Sequence, residues 1–209
     1  MRIGIIGAGN IGATLTRRLT ALGHDVAVAN SRGPQSLEAL AGETGATAAE
    51  PATAARDAGL VIVAVPLKAV PDLPADALGG RLVVDAGNYY PGRDGEIAAI
   101  EGGTPSTRWV ADHLTGATVV KAFNTMNWRY LLDGGRPAGD LQRMALPVAG
   151  DDVEAKQRVT DLVDELGFDP VDSGALDESW RQEPGTPVYG ANLDAAATRD
   201  ALAAAQRQA

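Results

Sequence analysis

No cysteine occurs in this chain, which removes disulfides, thiolate nucleophiles and cysteine-held metals and fits a cytoplasmic protein. Histidine is almost as scarce. His24 and His113 are the two copies, and no His pair has ligand spacing, so no metal site is expected. His24 follows Gly23, a helix-ending glycine, and reads as a surface turn residue. His113 reads first as an ordinary helix residue and second as a general acid. No Tyr-x-x-x-Lys spacing is present, so the proton-relay pair of short-chain dehydrogenases is missing. A nucleophile elbow and a P-loop are missing as well. No apolar run is long enough to cross a bilayer, and no apolar leader precedes the first strand, so neither a membrane span nor a secretory signal is expected. Internal repeats and domain-separating linkers are also lacking.

Acidic residues outnumber basic ones, 27 to 18, for a formal net charge of −9. A nucleic-acid partner is therefore not expected, because phosphate backbones need a basic face. A local arginine cluster can still hold an anionic small molecule. Hydrophobic residues form 45% of the chain, enough for a sizeable core.

The stretch that organises the rest runs from Arg2 to Gly12. Arg2–Ile6 reads as a short buried strand that enters a turn spaced Gly7-x-Gly9-x-x-Gly12. An amphipathic helix follows, with Ile11, Leu15, Leu19 and Leu22 on one face and Gly23 as its stop. Strand, glycine turn and helix together form the dinucleotide fingerprint. Gly7 permits the tight turn, Gly9 lets the backbone approach a pyrophosphate, and Gly12 lets helix and strand pack closely. The helix N-terminus, with Asn10 and Ile11, offers free N–H groups to phosphates.

The second strand, Asp25–Ala29, ends in Asn30-Ser31-Arg32, near the expected offset of about 20 residues from the glycines. An NAD-preferring site places a carboxylate here. Asn30 and Ser31 can instead donate to a 2′-phosphate, and Arg32 can pair with it, so the cofactor reads as NADPH. A helix over 35–43 and short elements at 46–48 and 50–57 follow. Leu60–Val65 is a continuous apolar run, as in a central parallel strand. Ligands in open α/β sheets bind beyond the carboxyl ends of the strands, so Ala64, Val65, Pro66 and the segment to Val70 should border the cofactor. Lys68 reads as an exposed lysine rather than a phosphate ligand. The strand 81–86 ends in Ala86-Gly87-Asn88, near the nicotinamide end. Asp85 within it needs a partner and reads as a structural carboxylate capping backbone donors.

Further strands are expected at 118–122, 144–150 and 168–172, with helices at 104–114 and 153–166. The fold class is α/β, a Rossmann-type doubly wound, mainly parallel sheet. Residues 1–172 would form the NADP-binding domain. Residues 173–209 would form a small C-terminal extension, with an aromatic, two-proline stretch (Trp180–Gly190) that docks and a helix over 194–207. That tail needs something to pack against, so a homodimer is expected. Few groups here can move protons: Lys121, Asn124 and Thr125 after the 118–122 strand, with Asn88 and the tyrosines, are the candidates. The Tyr89-Tyr90 pair reads equally as lining an aromatic site or as core or interface packing.

Taken in order, Arg2–Gly12, Asn30-Ser31-Arg32, Val65-Pro66, Asp85–Asn88 and Lys121–Thr125 resemble the deazaflavin (coenzyme F-420)-dependent NADP oxidoreductase family, over roughly the first 170 residues. The STEAP metalloreductase domain belongs to the same group. The resemblance implies NADPH across the sheet, with Ser31 and Arg32 on its 2′-phosphate and Gly9–Ile11 on its pyrophosphate. It implies Val65, Pro66 and Asn88 around the nicotinamide, and a deazaflavin ring stacked near Lys121–Thr125. A basic acceptor site would draw on Arg129, Arg136 and Arg143. Hydride transfer between NADP(H) and a deazaflavin or flavin-type small-molecule acceptor fits the shortage of acids. Two other readings stand beside it. One is reduction of a small imine, enone or carbonyl compound, with Trp180 and Tyr189 closing a dry pocket. The other is a non-catalytic NADP(H) sensor.

Overall fold

The computed structural model describes residues 1–207. Eight strands form one sheet: β1 (Arg2–Ile6), β2 (Asp25–Ala29), β3 (Thr47–Ala48), β4 (Leu60–Val63), β5 (Leu82–Asp85), β6 (Thr118–Lys121), β7 (Ala145–Gly150) and β8 (Asp169–Asp172). Their order is β3-β2-β1-β4-β5-β6-β7-β8. The first six pairings in space are parallel except the last, where β7 runs antiparallel to β6; β8 is parallel to β7. Strand order reverses between β1 and β4, which opens a crevice at their carboxyl ends.

The sequence explains these elements locally. β4 and β5 are buried along their whole length, as strands covered on both faces must be. Helix α1 (Asn10–Ala21) buries Leu15 and Leu19 against the sheet. Gly12 allows that contact, since a Cβ there would collide with the Gly7 carbonyl oxygen. Asp152 caps the helix Val153–Glu165 by accepting from the Ala155 N–H at 2.8 Å, and Gly167 turns the chain away at φ 88°. Arg18 of α1 donates to the carbonyls of Leu131 and Leu132 (3.2 and 2.8 Å) and of Leu166 (2.6 Å). It thereby places one cation at the carboxyl ends of two other helices.

Strand positions match the sequence expectation to within two residues at each end. The helix expected over 35–43 is split into a 3-10 turn, Pro34–Leu37, and an α-helix, Glu38–Thr44. Ser36 accounts for the split: its hydroxyl donates to the Gly33 carbonyl and accepts from Asn30 Nδ2, holding the first turn tight. The described part of the tail packs on its own chain. Its 3-10 segment Leu176–Gln182 and its helix Ala195–Ala204 pack on β7 and β8, where Val188 and Leu202 join Ala145 and Val171 in a small core. The packing need that suggested a homodimer is thus met within the chain. Among the described residues, no helix is long and apolar enough to cross a membrane.

Candidate functional site

Two chambers meet at the carboxyl ends of β1, β2, β4 and β5. The first, about 510 Å³, runs along Gly7–Gly9, Asn30–Arg32, Ala64–Pro66 and Pro74. The second, about 380 Å³, is walled by Gly9–Ile11, Ala64–Pro66, Ala86–Asn88 and Phe123–Asn124. Gly9 and Ala64–Pro66 belong to both, so the chambers form one cleft with the glycine turn at its waist. At that waist a Cβ on Gly9 would meet nothing within 4 Å and would project into the opening. Helix α1 has no side-chain cap there, so its first N–H groups remain free. Gly7 turns the chain at φ 108°, and any Cβ on it would strike the Ala64 carbonyl. A bare glycine waist with free N–H groups fits a pyrophosphate.

At the first chamber's far end, Asn30 does not point its amide outward. Its Oδ1 accepts from the Arg32 backbone N–H at 2.8 Å, and its Nδ2 donates to Ser36 at 2.9 Å. Asn30 therefore shapes the turn. Ser31 and Arg32 are exposed on it, and both line the chamber. They offer a hydroxyl and a guanidinium to an anion.

The second chamber is wrapped by residues from distant parts of the chain. Phe123 sits at φ 66°, in the left-handed region, while completely buried. Such a conformation costs about 1–3 kcal/mol and is held by its surroundings. The next residue, Asn124, donates through Nδ2 to Asn88 Oδ1 at 2.9 Å and to the Gln182 carbonyl at 2.7 Å. Asn88 returns a bond to the Asn124 carbonyl at 2.9 Å, and Gln182 Nε2 donates to Asn124 Oδ1 at 2.9 Å. Ser173 completes the chain of amides by donating to Gln182 Oε1 at 2.6 Å.

Tyr90 and Tyr189 stand at the mouth with their hydroxyls hydrogen-bonded to each other. Burial, and then the Tyr90 hydroxyl, raise the Tyr189 phenol above the usual tyrosine range. The Arg93 guanidinium lies 5.0 Å from the Tyr90 ring centroid and donates to the Asn88 carbonyl at 2.6 Å. Asp94 anchors Arg93 at 2.8 Å. Burial opposes its ionisation, but Arg93 and the Tyr90 N–H outweigh that and hold its pKa below the usual carboxylate range.

Several expected site residues lie elsewhere. Lys121 is fully buried beneath the cleft, bonded to Asp85 Oδ2 at 2.9 Å and to the Gly87 carbonyl. Asp85 also accepts from the Gly87 N–H at 2.9 Å and the Thr107 hydroxyl at 2.7 Å, which is the capping role read from the sequence. Thr125 is buried and does not line the chamber, although its carbonyl holds the Gly190 N–H at 2.8 Å. Val70 is in the core; Ala69 is the residue that faces the first chamber. Gly12 serves packing behind the waist. The three arginines do not converge. Arg143 is tied to Asp164 and Asp169, Arg136 faces Asp140, and Arg129 stacks on Trp128, which lines the mouth. Trp180 is sandwiched between Arg181 and Arg207 rather than closing the cleft with Tyr189. Arg93 was not foreseen. The tyrosines were among the sequence candidates, and Tyr90 and Tyr189 do line the chamber, but their contact with each other was not readable from the sequence.

The fold and cleft are those of a Rossmann-type α/β protein. Residues 2–89 match the family described as NADP oxidoreductase coenzyme F420-dependent. The chain is 36% identical to the crystallised hypothetical protein SMa0349 of Sinorhizobium meliloti, over 92% of this chain and 95% of that one, with a TM-score of 0.80. A crystal structure of a "putative f420 dependent nadp-reductase" from Arthrobacter sp. FB24 is 28% identical, covering 86% of this chain and 87% of that one, with a TM-score of 0.73. The metalloreductase STEAP3 of Rattus norvegicus is 30% identical over 178 residues, 84% of this chain and 34% of that protein. The chain spans about half the length, or less, of the curated relatives it matches.

Proposed function

We propose that this protein binds NADPH in the two-chambered cleft and passes its hydride to a deazaflavin or flavin-type small molecule. The observation that carries this reading is the continuity of the cleft. It runs from the exposed Ser31-Arg32 turn, past the bare glycine waist, to the walls at Ala86–Asn88 and Asn124. Ser31 and Arg32 would hold the 2′-phosphate. The free N–H groups at the start of α1, with Gly9, Asn10 and Ile11, would hold the pyrophosphate. Ala64, Val65, Pro66, Ala86, Gly87 and Asn88 would frame the nicotinamide. NADPH, when bound, supplies the hydride. The residues around it contribute position: the paired amides of Asn88 and Asn124 keep the far wall rigid, and Phe123 shields it from water. The acceptor class rests on the family match over residues 2–89.

A second reading, reduction of a small imine, enone or carbonyl compound, is favoured by one specific observation. The hydroxyls of Tyr90 and Tyr189 stand at the chamber mouth, where a compact acceptor would need a proton.

Calorimetry with NADPH and NADH tests the cofactor assignment. Arg32→Ala should weaken NADPH by about 1.5–3 kcal/mol, the scale of a charge-assisted hydrogen bond, and leave NADH nearly unchanged. An equal loss for both removes Arg32 from the 2′-phosphate. Mixing protein, NADPH and oxidised deazaflavin then tests the acceptor: loss of the deazaflavin absorbance supports the first reading, and turnover of a 1-pyrroline or 2-cyclohexen-1-one probe alone supports the second.

A further inference from the structure

Reduction by NADPH transfers a hydride to carbon, or to N5 of a flavin, and leaves the acceptor needing a proton on nitrogen or oxygen. The sequence offered no dedicated acid. The chamber, however, is lined by three titratable side chains: Tyr90, Tyr189 and Arg93. Arginine does not give up its proton near neutral pH. Lys121 is enclosed by Asp85 and the Gly87 carbonyl. His113 bonds to the Trp109 carbonyl on an exposed helix face, and His24 pairs with Glu165 at the opposite end of the sheet from the cleft. Only the phenols remain.

Their hydrogen-bond inventory is informative. Two hydroxyls bring two protons, and their mutual bond uses one. Among the described residues neither oxygen has another partner, so one O–H is left to face the chamber. The two rings also differ in access. Tyr90 is 37% exposed, whereas Tyr189 is half-buried, pinned by the Gly190 N–H bond to Thr125 and by Val188 in the tail core. We propose that Tyr189 gives the proton that accompanies hydride transfer, and that Tyr90 relays a replacement from solvent. This rests on the reading of the cleft as a hydride-transfer site.

The step balances. The Tyr189 O–H bond breaks as an N–H or O–H bond forms on the acceptor, whose carbon, or N5 in a flavin, receives the hydride from NADPH. The Tyr189 oxygen then takes the Tyr90 proton, and Tyr90 takes one from water. The charged groups facing the pair support this direction. Arg93, held by Asp94, lies over the Tyr90 ring, and its charge works against the rise that burial imposes on the Tyr189 phenol, which eases transient loss of that proton.

Tyr189→Phe and Tyr90→Phe test it. Calorimetric NADPH affinity should stay within about twofold of wild type for both, since neither hydroxyl serves the cofactor. Reduction of oxidised deazaflavin, or of 2-cyclohexen-1-one, should slow about 100-fold or more in Tyr189→Phe, the usual scale of general-acid catalysis, and less in Tyr90→Phe. In single turnover the wild-type reduction should slow in D2O, because the Tyr189 proton is in flight with the hydride. Wild-type turnover retained in Tyr189→Phe, or a wild-type single-turnover rate indifferent to D2O, overturns the inference alone. Absence of wild-type turnover with both acceptors sinks the hydride-transfer reading and this inference with it.

Discussion

A lysine with no solvent exposure persists in an apolar interior only beside a fixed counter-charge. Lys121 has one in Asp85, itself almost fully buried, and the pair joins the ends of β5 and β6 directly beneath Gly87. Removing one partner leaves the other charged and uncompensated. Lys121→Met should therefore lower the unfolding free energy by about 3–5 kcal/mol, read as a shifted urea midpoint. A variant that kept full stability but lost turnover would return Lys121 to the catalytic candidates. The glycine fingerprint, the polar turn after β2 and the capping role of Asp85 were all legible because each is decided within a few residues of chain. Asn30 was only half legible. Its chemistry was read as that of a donor to phosphate, but its partners Arg32 and Ser36 lie close in sequence and use its amide to shape the turn. Arg93 and the Tyr90–Tyr189 contact were not legible, because the fold alone brings the tail to the end of β5.

At the scale of elements, the tail matters most for the site. The 3-10 segment Leu176–Gln182 inserts Gln182, fully buried, between Asn124 and Ser173. Gln182→Leu keeps the volume but leaves the Asn124 Oδ1 and the Ser173 hydroxyl without their partner. Each such buried group costs about 1–3 kcal/mol. The expected outcome is a lower urea midpoint together with faster hydrogen exchange at the Gly190 amide, which is bonded to the Thr125 carbonyl beside Asn124. Lost stability with unchanged exchange at Gly190 would uncouple the tail from the cleft. The short pieces Ala75–Leu78, Pro91–Asp94, Ala98–Glu101 and Trp128–Asp133 escaped the sequence reading for a physical reason. A helix of four to six residues completes too few turns for a 3.6-residue apolar period to show. The strands were easier, since burial on both faces makes them continuous apolar runs.

At the scale of the molecule, two electrostatic effects oppose each other as pH falls. The net charge of −9 repels itself near neutrality, and titration toward the pI of 4.7 relieves that repulsion. Against it stand Asp94, Asp151 and Asp172. Burial works against ionisation of all three. Hydrogen bonds outweigh it and hold each below the usual carboxylate value of 3.8: Arg93 and the Tyr90 N–H for Asp94, the Leu176 N–H and Arg108 for Asp151, and Lys156 and the Gly174 N–H for Asp172. A carboxylate whose folded pKa is depressed contributes stability that is present above its unfolded pKa and is lost as pH falls through the folded one. Asp94 should dominate, because its side chain has no exposure, while those of Asp151 and Asp172 are 47% and 66% exposed and screened by water. The melting temperature should therefore hold or rise from pH 7 toward pH 5, then fall steeply below about pH 4. Added salt should flatten the first limb and spare most of the second, since the Asp94 carboxylate is shut off from solvent even though Arg93 is partly exposed. Asp94→Asn should lower stability at pH 7 and blunt the acid limb. Stability that declined between pH 7 and 5, or an acid limb identical in Asp94→Asn, would show that the charge balance of this fold is governed by other groups.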